Sequence, residues 1–269
     1  MVIKLDKTLS KAMNATIMGS GDETIVLGHG FGTDQSLWDK VIPSISDKYK
    51  VVLFDWCFSG AIKDPDFFDG AKHTSYEAFA QDLVGLMEEL KLESCTYMGH
   101  SMACMIGCIA STKRPQLFKK LILVGASPRY INSEGYEGGF GSSDIDQLLS
   151  NIGSIYEQWA TIFPTVVMDA NDPQSIEYFT KCLQKTRPEV ALPVATIVFQ
   201  SDERDLLEKI TTPCAIIQAT NDIVVPNSVA EFMNNKITAK SSVEYVEATG
   251  HFPQLTSHLQ FNEVLARVL

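Results

Sequence analysis

A mostly parallel, doubly wound α/β sheet is the fold class this sequence predicts, and three observations predict it. Apolar, β-rich runs recur at "TIVLGHG" (24–30), "KVVLFD" (50–55), "CTYMGH" (95–100), "KLILVGAS" (120–127), "CAIIQATND" (214–222) and "SVEYVEATGH" (242–251). They read as continuous rather than alternating, as strands covered on both faces do. Helical patterns lie between them, which is the strand–helix alternation of a βαβ sheet.

Each element has its own signal. "NATIMGSG" (14–21) supplies an early hairpin strand ahead of the first buried run. In 76–90, Tyr76, Phe79, Ala80, Leu83, Met87 and Leu90 form one stripe, with Glu77, Gln81 and Glu88 opposite. Residues 102–113 are small and apolar until Pro115 ends the run, and 227–235 form a short helix. From Pro128 to Pro213 the alternation stops, and four helical pieces are predicted at 144–152, 154–163, 173–185 and 188–200. Asn171-Asp172-Pro173 reads as a cap followed by a first-turn proline, and Arg187-Pro188 as another start. Pro193 inside the fourth piece predicts a kink. The expected organisation is a core of residues 1–127 and 214–269, with 128–213 a helical lid inserted between two strands. Such a lid stands over the carboxyl ends of the strands, where open α/β sheets bind ligands.

Composition narrows the function. The chain has 269 residues, 45% hydrophobic and 20% charged, enough for one large domain, and a net charge of −11. An acidic surface repels phosphate backbones and anionic lipid heads, so nucleic-acid and membrane roles are disfavoured. None of the six cysteines forms a C-x-x-C pair. Cys104 and Cys108 can share a helix face, but no histidine or carboxylate joins them at ligand spacing, so no metal and no cofactor are expected. Thiols in apolar runs suit a reducing compartment. The N-terminal "MVIKLDKTLSKAMN" lacks the apolar core of a signal peptide, and no run is long enough to span a membrane. A soluble cytoplasmic or nuclear protein is expected.

Gly-x-Ser occurs three times, at Ser101, Ser127 and Ser143, and context separates the matches. Ser143 follows a glycine-rich loop, and Ser127 is followed at once by Pro128. Only Ser101 stands between a buried strand and an apolar helix, with the small residues Gly99 and Ala103 two positions either side. That is the pattern of a nucleophile on a tight strand-to-helix turn. A serine there excludes an aspartate-nucleophile mechanism. A serine hydroxyl needs a base, and the base an orienting acid. His251, after Gly250 at the end of the last strand run, is the candidate base, and Asp222 the candidate acid. The order Ser101, Asp222, His251 is that of α/β-hydrolases. Of the other histidines, His100 is read as structural, and His73 and His258 as exposed. Backbone N–H groups of Met102 and of Phe31, in the glycine-rich loop "LGHGFGTDQSLW" (27–38), are expected to form the oxyanion site.

With these residues in place, the chain resembles the plant karrikin and strigolactone receptor-hydrolases and their bacterial sigma-factor-regulator relatives. The similar stretches include "GSGDETIVLGHGFGTDQSLW", "MGHSMACMIG", "RPQLFKKLILVGASPRYIN", "YEGGF", "RPEVAL", "FQSDER" and "GHFPQL". Tyr130, "FQSD" and Gln254 are similar to the karrikin-receptor branch. The resemblance implies an α/β-hydrolase fold, a V-shaped lid of four helices over a deep apolar pocket, and a triad at Ser101, Asp222 and His251. It implies a pocket lined by Phe31, Tyr130, Phe140, Phe163 and Phe199. It also implies slow hydrolysis of small butenolide lactones, a ring fragment retained on the histidine, and ligand-dependent recruitment of an F-box ubiquitin-ligase subunit and a repressor. The stretches 55–69 and 159–172 depart from the family pattern, and the bulk of Trp56 and Phe58 is expected to bear on pocket shape. An ordinary carboxylesterase or lactonase acting on a small apolar ester is the alternative.

Overall fold

The computed structural model describes residues 8–269; the first seven residues of the N-terminal stretch read above lie outside the described residues. In chain order come α1 Leu9–Ala12, β1 Thr16–Met18, β2 Glu23–Gly28, a 3-10 turn Gln35–Trp38, α2 Ile42–Ile45 and β3 Tyr49–Leu53. Then follow α3 Tyr76–Glu89, β4 Cys95–His100, α4 Met102–Lys113 and β5 Phe118–Val124. Four helices come next, α5 Ser142–Ser154, α6 Tyr156–Val167, α7 Pro173–Lys185 and α8 Pro188–Gln200. The chain closes with β6 Cys214–Asn221, α9 Asn227–Lys236, β7 Ser241–Thr249, α10 Pro253–Thr256 and α11 His258–Val268.

The seven strands form one sheet in the order β1-β3-β2-β4-β5-β6-β7. All pairings are parallel except that of β1 with β3. The early strand is therefore not a hairpin partner of the run that follows it. Both edges of β2 are taken by β3 and β4, so Ile17 of β1 lies opposite Val52 of β3 instead. All six residues of β4 are buried, as a central strand with helices on both faces requires. The last run departs from the continuous reading. β7 is an edge strand, and only Val246 and Ala248 of it are buried.

α4 is the deepest helix, buried from Met102 through Ser111. A helix apolar on all sides is stable only inside a core. Its large side chains, Met105, Ile106 and Ile109, each contribute roughly 2 kcal/mol by leaving water. α3 turns Tyr76, Phe79, Ala80, Leu83 and Met87 inward. Asp172 caps α7 by accepting from the Ser175 N–H at 3.0 Å, with Pro173 in the first turn. α8 is continuous from Pro188 to Gln200, with Pro193 inside it. The bond that proline removes is to the carbonyl of Glu189, an exposed first-turn residue that water can satisfy. α6 likewise continues past Pro164, four residues beyond its expected end.

The two ends of the segment that carries the four helices α5–α8 meet. Glu203 N–H donates to the Pro128 carbonyl at 2.7 Å, and Arg129 and Asp202 form a bridge and an ion pair. Arg204 grips both oxygens of Asp202, each at 2.8 Å. Hydrogen bonds from Arg204 and then Arg129 pull the Asp202 carboxyl down to about 2 from an ordinary 3.8. A carboxylate lowered on folding stabilises above its unfolded pKa and loses that contribution as pH falls through its folded one. The melting-temperature gap between the wild type and Asp202→Asn is therefore expected to be full near pH 5 and to close toward about pH 2. A gap that stays constant with pH would remove the carboxylate's charge from the account.

Candidate active site

Ser101 alone makes the turn between β4 and α4, with φ 56° and ψ −124°. A left-handed φ is strained for a residue with a side chain. The turn is held by the Ser101 N–H, which donates to the Val124 carbonyl of β5 at 2.8 Å. Gly99 lets the strand and helix close, because a Cβ there would lie 2.8 Å from the carbonyl carbon and oxygen of Ala103.

The ends of β6 and β7 bring two more side chains to this turn. His251 Nε2 lies 3.0 Å from Ser101 Oγ, and His251 Nδ1 lies 2.7 Å from Asp222 Oδ2. Asp222 is oriented in turn: its Oδ1 accepts from the N–H groups of Val224 at 2.8 Å and Val225 at 3.1 Å. The Asp222 side chain is fully enclosed, and His251 is buried. Gly125, at φ +57°, ends β5 beside the imidazole, where a Cβ would stand 3.0 Å from His251 Cε1. His100 faces away from the serine. Its Nε2–H donates to the backbone carbonyl of His251 at 2.9 Å. Burial, and then the nearby His251, push the His100 pKa well below its ordinary value, so it stays neutral.

The two expected oxyanion donors follow the carboxyl ends of adjacent strands. Gly28 of β2 pairs with Gly99 of β4, and Phe31 and Met102 each follow three residues later. Met102 opens α4, so its N–H is one of the donors a helix N-terminus leaves free. The Phe31 loop is braced from below. His29 Nε2 accepts from the Trp56 N–H at 3.1 Å, and Trp56 Nε1–H returns a bond to the His29 carbonyl at 2.8 Å. Burial lowers the His29 pKa although Asp55 opposes it. Trp56 and Phe58, expected to bear on the pocket, stack on each other under this loop and do not line the cavity. Their bulk fills the core between the loop and Phe79 of α3.

Above Ser101 and His251 lies an apolar cavity of about 370 Å³ of atom-free space. Of the five aromatics expected to line it, Phe31, Tyr130, Phe163 and Phe199 do. Phe140 does not. Its ring packs on Phe199 at 6.2 Å from behind, and its backbone pairs with Tyr130 and Asn132. Phe179 and Phe252, which the sequence reading missed, take part in the lining. Phe252 was findable from its position next to His251; Phe179 was not. The rings close in on one another, so the free cavity volume is only about 30 Å³, room for one or two waters. Where a deep pocket was expected, the space is narrow. Tyr130 is wholly buried, its hydroxyl 3.4 Å from Ser101 Oγ, and burial raises its pKa so that it remains a neutral phenol. α6 reaches the histidine too: His251 N–H donates to the carbonyl of Val167, its last residue, at 2.8 Å.

Two histidines read as exposed are not. His73 is 2% exposed and bonds Asp82 at 2.9 Å, because the loop before α3 folds it under that helix. His258 is half-buried at the start of α11.

A fold with this sheet order, inserted helices and a polar cluster at its carboxyl edge defines an α/β hydrolase, and the model of that fold family matches residues 23–257. The chain is 44% identical to karrikin insensitive 2 receptor CA of Petunia hybrida, over 93% of this chain and 92% of that one. It is 39% identical to a strigolactone esterase of Arabidopsis thaliana, over 96% and 97%. A hydrolase from Oleispira antarctica superposes with a TM-score of 0.93 at 30% identity, covering 97% of this chain and 95% of that one. The chain belongs to the karrikin and strigolactone receptor family of α/β hydrolases. Among the described residues, no helix is long and apolar enough to cross a membrane.

Proposed function

We propose that this protein is a receptor for a small apolar lactone of the butenolide class, and a slow serine hydrolase acting on it. The observation that carries the reading is the relay Asp222–His251–Ser101, at 2.7 and 3.0 Å, beneath a lid that is itself bonded to the histidine's backbone. In this reading Ser101 Oγ attacks the lactone carbonyl while His251 Nε2 takes the hydroxyl proton. Asp222 holds the Nδ1–H tautomer and stabilises the imidazolium that forms. The N–H groups of Met102 and Phe31 receive the developing oxyanion. His251 then returns the proton to the leaving oxygen, and the acyl group stays on Ser101 until water or His251 accepts it.

The residues given to the ligand are Phe31, Tyr130, Phe163 and Phe199, joined by Phe179 and Phe252. A lactone larger than a few atoms must displace these rings, so binding is coupled to lid position. That coupling suits a protein whose output is a changed lid surface. The F-box ubiquitin-ligase subunit and the repressor implied by the family belong to this proposal, as does a cytoplasmic and nuclear location. The core and lid divide at 127/128 and 213/214 in the same reading.

Intact-mass measurement after exposure to a butenolide with a good leaving group tests it. The expected result is a ring-fragment adduct on His251, together with a raised melting temperature. At a hundredfold excess over Kd, ligand adds about 2.7 kcal/mol, several degrees for a chain of this size. Fast turnover of simple esters, with neither adduct nor shift, would establish an ordinary carboxylesterase instead.

A further inference from the structure

We propose that Cys57, His73 and Asp82 form a buried site for a borderline-soft divalent cation, Zn²⁺ foremost, that ties the loop after β3 to α3. The Cys57 thiol sulfur, a His73 ring nitrogen and an Asp82 carboxylate oxygen all lie within 4.8 Å of one another. Ligands around tetrahedral zinc are about 3.3–3.8 Å apart, so a contraction of about 1 Å completes the geometry. The three residues are 3%, 2% and 5% exposed, and none lines the cavity over Ser101. A thiolate and a carboxylate neutralise a divalent charge, which is the condition for holding one in a core. Thiolate with imidazole selects Zn²⁺ over Mg²⁺ or Ca²⁺, which take oxygen ligands.

His73 is prepared for either state. Its ring is held between those of Phe68 and Phe79, at 5.4 and 5.3 Å and nearly parallel to both. Its Nδ1 faces both polar groups of the Asp69 backbone, the N–H at 3.1 Å and the carbonyl at 3.0 Å. With no ion, Nε2–H donates to Asp82 and Nδ1 accepts from the Asp69 N–H. With an ion, the proton moves to Nδ1 and donates to the Asp69 carbonyl, which leaves Nε2 free to ligate. Metal-bound histidines are commonly fixed by such a second bond to a carbonyl.

Without an ion, Lys72 supplies the positive charge, its Nζ 2.6 Å from Asp82 Oδ1. Burial works to raise the Asp82 pKa, but the bonds from His73 and Lys72 outweigh it and hold the carboxyl below its ordinary value. The Lys72 side chain is 48% exposed, so it can swing into water when an ion takes its place. Cys57 also lines a small crevice bounded by Gly60, Lys185 and Val190, which offers an entry path. Burial, and then Asp82, push the Cys57 thiol far up, so it is protonated in the empty site. Uptake breaks that S–H bond, forms the metal–sulfur bond and releases the proton to solvent. The fourth position is left to water.

The test is titration of the chelator-stripped full chain with Co²⁺, read by the thiolate-to-cobalt charge-transfer band, then displacement by Zn²⁺. One equivalent, a band absent from Cys57→Ser, and a melting temperature raised by Zn²⁺ are expected. Lys72→Ala removes the competing ammonium and is expected to bind about tenfold more tightly. Because Lys72 is half-exposed, that variant keeps the proposal testable should Cys57→Ser fail to fold. No band in either the wild type or Lys72→Ala would overturn the site. So would a band that persists in folded Cys57→Ser, or Lys72→Ala binding no tighter than the wild type.

Discussion

Ser101→Ala is expected to lower cleavage of an activated butenolide by about 10³-fold or more, while leaving the melting temperature within about 2 °C of the wild type. The loss follows from chemistry. The change deletes the nucleophile and leaves His251 with nothing to deprotonate, and 10³-fold corresponds to about 4 kcal/mol of transition-state stabilisation. Stability is spared because, among the described residues, Ser101 Oγ makes only the 3.0 Å contact to His251 and a long 3.4 Å contact to Tyr130. A companion variant separates strain from function. At φ 56° a serine and an alanine are equally strained, whereas glycine is not. Ser101→Gly is therefore expected to be as inactive as Ser101→Ala but about 1 kcal/mol more stable. Paired rate measurements and thermal melts check both halves. Unchanged cleavage in Ser101→Ala would remove the serine from the mechanism.

The sheet was legible because its central strands are buried on both faces, so β4 and β5 declare themselves as unbroken apolar runs. β7 was read less well because an edge strand has one neighbour and more freedom in its outward residues. The candidate relay was legible from order and context: one serine with a strand before it and a helix after it, then an aspartate and a histidine at later strand ends. The cavity wall was less so. Whether Phe179 faces the cavity depends on how α7 is rotated over the sheet, and α7 carries its apolar stripe whichever way it turns; Phe140 is turned away by loop pairing with Tyr130 and Asn132, which has no periodicity to read. His73 failed for a related reason. Its polar neighbours suggest solvent, but its true partners, Asp82 and the rings of Phe68 and Phe79, are gathered by a loop that has no periodicity to read.

Gly99→Val is expected to destabilise the protein by about 3 kcal/mol, a fall in melting temperature of roughly 10 °C, and to abolish cleavage in whatever remains folded. The added Cβ would stand 2.8 Å from the Ala103 carbonyl carbon and oxygen and 2.9 Å from the Cys104 nitrogen. Those atoms are the backbone of the first turn of α4, so no side-chain rotation relieves the contact. The helix must move off the strand instead, carrying with it the Met102 N–H and, through the turn, Ser101 Oγ. A displacement of about 1 Å is enough to cost a hundredfold in rate. Gly135→Ala is the control. Gly135 also has a left-handed φ, +71°, but a Cβ there meets nothing within 4 Å among the described residues. Only the backbone preference is lost, about 1 kcal/mol, with cleavage unchanged. If Gly99→Val melts no lower than Gly135→Ala, close approach of β4 and α4 is not what shapes the turn at Ser101. The nucleophile's position would then have to be set from its other side, by the Ser101 N–H bond to Val124 and the packing of His251 against Gly125.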